Sequence, residues 1–245
     1  MPQGRYGPLV ATVSEVGERI AAVRTRVADA ATAAGRDPAD VRVLLATKTL
    51  PDDVVRAAVD AGATLLGENR VQELVGHAAA LAGRMVQIHV IGHLQSNKVA
   101  QVVHPDRPRV TCVQSVDSFP LAERLDRRCA ALGRDLDVMV QVNVSGEATK
   151  SGVTPADAAE LARRVSSLPR LRLVGFMTVG LNSPDVDAVR AGYARLREVR
   201  DAAVLDAPGA RELSMGMSTD LELAVAEGAT VVRVGTAVFG PRPTR

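Results

Sequence analysis

The strongest constraint on the fold is a rhythm. Eight apolar, strand-like runs are each separated from the next by a helical pattern, within 245 residues. The runs span residues 41–46, 63–66, 85–91, 110–114, 136–144, 171–177, 211–213 and 230–234. Most are apolar nearly throughout rather than alternating, the pattern of strands covered on both faces and so of a parallel sheet. The intervening stretches read as helices. Pro51 opens one that Gly62 closes, and residues 69–81 and 96–103 form two more. Leu121, Leu125, Cys129 and Leu132 stripe a fourth, capped at Asp117 or Ser118. Thr154-Pro155 and Ser183-Pro184 start two others, and Thr219-Asp220-Leu221-Glu222 has the form of a capping box. Val16, Ile20, Val23 and Val27 mark a long helix ahead of the first strand. Eight such units predict an α/β fold: a single-domain (β/α)8 TIM barrel over residues 1–245 with an extra N-terminal helix, an open doubly wound sheet being the alternative.

Composition removes several function classes. The longest uncharged stretch, residues 85–97, holds two His, two Gln, a Ser and an Asn, so no membrane-spanning helix is expected. Met1–Tyr6 lacks the basic-then-apolar pattern of a leader. Two cysteines, Cys112 and Cys129, make no disulfide framework, and the expectation is a reducing cytoplasm. A net charge of +2, with three Phe, two Tyr and no Trp, argues against nucleic-acid binding. Only Lys48, Lys98 and Lys150 of the 30 basic residues are lysines. Chemistry that needs a side-chain primary amine therefore has three choices.

A barrel places its active site at the C-terminal ends of its strands. Lys48 follows the first strand there, where apolar walls would lower its pKa and favour a nucleophilic amine; a solvated strand end is the bland reading. Ser218 and Thr219 precede a helix, and Gly235-Thr236 follows the last strand. These are the loops that often hold a phosphate in barrels, although capping alone would also account for the first pair. Arg233 interrupts an apolar strand and needs a partner, either a ligand or a core carboxylate such as Glu212 or Glu68. His89 and His93 lack metal-site spacing; His89 reads as structural and His93 as the better placed, at a strand end. An amine on one rim position and a phosphate cradle on another suit a phosphorylated aldehyde held as an imine. Pyridoxal 5′-phosphate fits, and a class I aldolase would use the same two parts.

Several segments carry a family resemblance. They are Leu45-Ala46-Thr47-Lys48-Thr49, Leu66-Gly67-Glu68-Asn69-Arg70-Val71-Gln72-Glu73, and His89-Val90-Ile91-Gly92-His93-Leu94-Gln95-Ser96-Asn97-Lys98. Further along come Val142-Asn143 through Lys150-Ser151-Gly152, Gly175-Phe176-Met177-Thr178, Leu213 to Asp220, and Val232 to Gly240. In order and over nearly the whole chain, these resemble the pyridoxal-phosphate homeostasis protein family, whose barrel is like the N-terminal domain of alanine racemase.

The resemblance implies pyridoxal 5′-phosphate bound to Lys48 as an internal aldimine. It implies Ser218, Thr219, Gly235 and Thr236 around the phosphate, Arg233 toward the pyridine nitrogen, and Asn69 and Met177 along the ring. An arginine beside that nitrogen leaves it unprotonated and weakens the cofactor as an electron sink. His93 and Lys150 are weaker candidates, Lys150 for cofactor exchange. Alanine racemase carries a second domain that supplies an opposing base, and this chain ends at Arg245, soon after the last strand. The expectation is a non-catalytic, cytoplasmic carrier and regulator, a monomer or weak homodimer that serves pyridoxal-phosphate-dependent apoenzymes. A weak racemase or lyase is the rival.

Overall fold

The computed structural model describes residues 12–147 and 149–241, so Met1–Tyr6 and Arg245 lie outside the described residues. Eight strands form: β1 (Arg42–Ala46), β2 (Leu65–Glu68), β3 (Gln87–Val90), β4 (Val110–Val116), β5 (Leu136–Gln141), β6 (Leu171–Met177), β7 (Glu212–Ser214) and β8 (Val231–Val234). Each pairs in parallel with its successor, and β8 pairs with β1, so the sheet closes into a barrel and the open-sheet alternative is excluded. Helices alternate with the strands: α1 (Val13–Ala33), α2 (Asp52–Asp60), α3 (Val71–Gly76), α4 (Ala78–Leu81), α5 (Val99–Val102), α6 (Phe119–Ala131), α7 (Pro155–Ser166), α8 (Val186–Ala203), α9 (Leu221–Ala226) and α10 (Thr236–Phe239).

The main apolar layer lies between strands and helices, where residues such as Leu45, Leu66, Val113, Val138 and Val232 are buried against helix stripes such as Leu121, Leu125 and Cys129. Two small separate clusters are Leu44, Leu65 and Val231, and Cys112, Met139 and Met177. Both cysteines are free and buried. The N-terminal helix α1 packs across α9 and α10. Arg26 pairs with Glu222 and donates to the Ser218 carbonyl (3.2 Å), and Arg19 donates to the Val238 carbonyl (3.1 Å).

Several element boundaries differ from those expected, for local chemical reasons. Strand β2 runs on to Glu68, which pairs in register with Val90. Strand β5 ends at Gln141, and Val142 instead bridges to Val153 in the following loop. The helix expected over 69–81 is broken at His77, where ψ is 1°. That break turns the imidazole inward toward Glu68. Residues 96–103 form a single 3-10 turn, Ser96–Lys98, before α5. Helix α8 begins after Asp185, whose Oδ1 accepts from the amides of Asp187 and Ala188. The capping box expected at Thr219 does not form. Asp220 is the cap residue of α9, and its carboxylate is spent on the Tyr193 hydroxyl (2.8 Å) and the Met217 amide (2.6 Å). Tyr193 is fully buried and its hydroxyl needs an acceptor, a stronger demand than one exposed helix end.

Strands β6 and β7 meet at Gly175, where a Cβ would lie 2.0 Å from the Glu212 carbonyl oxygen. The three nearest atoms are all Glu212 backbone, which cannot retreat without disturbing the β6–β7 pairing. Gly175→Ala is expected to lower unfolding stability in urea by about 1–3 kcal/mol, the usual range for overpacking. An unchanged midpoint would show that β7 moves freely.

Candidate functional site

The β1–β8 register aligns Leu44 with Arg233 and Leu45 with Val234. The segments that leave these two strands therefore run side by side, and Lys48 emerges beside Gly235 and Thr236. A cavity of about 560 Å³ opens at this end of the barrel. Its walls include Lys48, Asn69, Ser218, Thr219, Arg233, Gly235 and Thr236, with apolar surface from Ile91, Val179, Met217 and Phe239. Lys48 is half-buried, and Arg233 is 6% exposed. Among the described residues lining the cavity there are two cations and no carboxylate, histidine, tyrosine or cysteine.

Close backbone contacts hold the walls in place. Asn69 is seated against Gly92, where a Cβ would fall 2.1 Å from the Asn69 carbonyl oxygen. Gly216, with φ +87°, takes the chain close beside α9, and a Cβ there would meet Ala224 at 2.4 Å. Its carbonyl accepts the Arg233 amide (3.0 Å). Ser218 does not cap α9; its Oγ accepts the Ala237 amide (3.3 Å), which ties the loop after β7 to the start of α10. Arg233 donates from Nη1 to Ser214 Oγ (2.8 Å) and from Nη2 to the Thr178 carbonyl (2.7 Å). Among the described residues no carboxylate makes an ion pair with it, so neither Glu212 nor Glu68 is its partner. Burial pushes the Arg233 pKa down, and electrostatic interaction with the nearby Tyr193 and Asp220 side chains pushes it back up.

Residues 20–243 match the alanine racemase N-terminal domain family. The chain is 46% identical over 231 residues to the pyridoxal phosphate homeostasis protein of Pseudomonas aeruginosa, covering 94% of this chain and 97% of that one. It is 38% identical over 240 residues to the Escherichia coli protein of the same name, covering 94% and 98%. PipY of Synechococcus elongatus, solved with PLP bound, has 35% identity and a TM-score of 0.79, covering 92% of this chain and all of that one. The chain belongs to the alanine racemase N-terminal domain family, and within it to the pyridoxal phosphate homeostasis proteins.

Not every family-implied position reaches the cavity. Met177 packs with Cys112 and Met139, and this apolar contact claims its side chain. His93 is exposed, with Nδ1 3.3 Å from Asp117 Oδ2. Lys150 pairs with Glu147 (2.6 Å) and donates to the Gly180 carbonyl (3.1 Å), so its amine is held within the loop after β5. None of the three is among the cavity's lining residues. Among the described residues no group of three or more His, Cys, Asp and Glu side chains is arranged to hold a metal ion.

A brace behind Lys48 was not foreseen from the sequence. Thr47 Oγ1 donates to Glu68 Oε1 (2.8 Å), which also meets His77 Nδ1 (2.8 Å), and His77 Nε2 donates to the Leu50 carbonyl (2.9 Å). The residues on both sides of Lys48-Thr49 thus hang from one buried pair. Thr49 itself has φ +64°, a left-handed conformation that costs a β-branched residue energy and persists only where its surroundings impose it. Both partners of the His77 ring are acceptors, so the ring must be the doubly protonated imidazolium. Burial by itself would lower its pKa. The hydrogen bond to Glu68, that to Leu50, and the charges of Glu68 and Asp52 outweigh burial and raise it to about 9. The detectable sequence signal is Glu68, a carboxylate two residues past the apolar run 63–66.

The pair makes stability depend on pH with a defined sign. His77 binds its proton more tightly folded than unfolded, where the pKa is about 6.5. Its contribution is complete below about pH 6.5 and is lost as pH rises through about 9. Urea midpoints should fall over this window in the wild type and fall less in His77→Gln. Parallel profiles for the two proteins would remove the pair from the stability account.

Proposed function

We propose that this chain binds pyridoxal 5′-phosphate at the cavity and acts as a carrier and regulator of that cofactor, without substantial catalysis. The observation that carries the reading is the cavity's donor set: one lysine amine, one buried arginine, hydroxyls and backbone amides, and no carboxylate among the described lining residues. Two cations on a wall with no carboxylate among its described lining residues favour an anionic ligand. The volume suits a small cofactor. The names of its relatives, and PipY with PLP bound, support the same ligand.

Pyridoxal phosphate, when bound, supplies an aldehyde that condenses with a primary amine and a ring that withdraws electrons. Lys48 is the amine on the cavity wall. Ser218, Thr219, Gly235 and Thr236 offer hydroxyls and the amides at the start of α10 to a phosphate. Arg233 would present N–H donors to the ring nitrogen, and that nitrogen would then carry no proton of its own. Asn69, on the cavity wall, would line the ring. No second general base faces Lys48 among the described lining residues, which supports holding and release over two-base proton transfer. In this reading residues 1–245 work as one binding unit in the cytoplasm, where the two buried cysteines stay reduced. The unit is a monomer or weak dimer that supplies cofactor-dependent apoenzymes, with Lys150, in the loop after β5, as a candidate for aiding exchange and His93 as a weaker binding candidate.

Lys48→Ala should abolish the visible absorbance of the protein reconstituted with pyridoxal phosphate. An unchanged band would remove Lys48 from the site. Ser218→Ala combined with Thr236→Ala should weaken cofactor affinity roughly tenfold or more, as expected for lost hydrogen bonds to a charged group, with the fold intact by circular dichroism. Equal affinity would refute the cradle. Turnover above about 1 s⁻¹ on any natural amino acid would overturn the carrier reading in favour of an enzyme.

A further inference from the structure

The barrel contains a row of polar side chains that the cavity alone does not explain. It begins where Arg233 Nη1 donates to Ser214 Oγ. The Ser214 hydroxyl donates to Gln114 Oε1 (2.6 Å), and Gln114 Nε2 donates to His89 Nδ1 (2.7 Å). The four residues come from β8, β7, β4 and β3, so the Ser214–Gln114 bond spans the barrel interior between strands that are not neighbours. All four are buried, Ser214 and Gln114 completely.

The chain has one direction, and each member fixes the next. In this order every bond has one donor and one acceptor. With the Gln114 amide reversed, Ser214 Oγ would accept from both the amide and Arg233, and its own hydrogen would lack a partner in the chain. Acceptance at Nδ1 requires the His89 proton to sit on Nε2. That tautomer selects the amide orientation of Gln114. The amide oxygen takes the Ser214 hydrogen, which turns the serine lone pairs toward Arg233. Burial, then the charge of Arg42, lowers the His89 pKa to about 3 and keeps the ring neutral. His89 also lines a second cavity, of about 220 Å³, at the N-terminal ends of the strands. Arg42, Arg109, Arg172, Asp135, Asp137 and Glu212 are the charged groups around it.

We propose that Ser214, Gln114 and His89 are positioning residues that hold Arg233 in place for the ligand, linking a histidine near one mouth of the barrel to cofactor binding at the other. This rests on the reading of the cavity as a pyridoxal phosphate site. Without the chain, the long arginine side chain keeps only its bond to Thr178 and gains alternative rotamers.

The test is a double-mutant cycle on the dissociation constant for pyridoxal 5′-phosphate, using wild type, His89→Phe, Arg233→Met and the double variant. His89→Phe should raise the constant roughly tenfold when Arg233 is present and by less than about twofold when it is absent. An equal loss in both backgrounds, or no loss in either, would overturn the proposal. If His89→Phe does not fold, Ser214→Ala takes its place in the same cycle. Side-chain ¹⁵N NMR of the cofactor-free protein gives a second readout. His89 should carry its proton on Nε2 and show no titration between about pH 5 and pH 8, and Ser214→Ala should shift its Nδ1 signal. A His89 that titrates near its ordinary pKa, or an Nδ1 signal indifferent to Ser214→Ala, would refute the chain. If the wild type binds no cofactor, the site reading fails, and the NMR result alone decides whether the chain exists.

Discussion

The pairing of β8 with β1 is the constraint on which the site depends. It closes the sheet and juxtaposes the first and last strand ends, some 190 residues apart in sequence by the partner positions Leu44 and Arg233. Without closure, the amine of Lys48 and the amides of the 235–237 turn would belong to opposite edges of a sheet. With it, they share one cavity wall. Helix α1 covers this seam from outside by packing on α9 and α10, so an element with no strand of its own still supports the site.

Around that seam the protein manages charge in two different ways. Behind Lys48, a buried ion pair between Glu68 and His77 pins the loop, and its three hydrogen bonds leave one oxygen of the pair, Glu68 Oε2, without a partner among the described residues. Beneath the cavity, Arg233 is held by neutral groups alone, a serine hydroxyl and a backbone carbonyl. A counter-ion in direct contact would neutralise the arginine before any ligand arrived. Neutral acceptors satisfy its hydrogen bonds and leave the charge available. Two buried cations of similar depth thus serve different ends: one stabilises the loop, the other remains poised toward the cavity.

The barrel was legible because its strands are apolar on both faces; β6 runs over the residues its pattern predicted. Lys48, Arg233 and the 235–236 turn were legible because a cation or a glycine at a strand end breaks that pattern. The rest was hidden where one side chain answers a distant demand. His77 breaks a helix that periodicity makes continuous, because its ring serves β2 and the β1–α2 loop. Asp220 abandons the capping role implied by its neighbours for Tyr193, which is 27 positions away. Gln114 reads as an ordinary strand residue and Ser214 as the first residue after the run 211–213, and only closure brings them together across 100 positions. Met177 lies in a quoted motif, yet packing with Cys112 and Met139 takes it from the cavity wall. Local pattern carries no information about such partners.

The low lysine content makes the amine that holds the cofactor easy to identify. Of the described lysines, Lys48 alone lines the cavity, while Lys150 is tied to Glu147 and Gly180 and Lys98 lies in the Ser96–Lys98 turn. The most direct measurement is borohydride reduction of the protein saturated with pyridoxal 5′-phosphate, followed by peptide mass mapping. Binding through Lys48 requires one stoichiometric adduct, on that residue. An adduct on Lys98 or Lys150 in its place, or none at all, would contradict it.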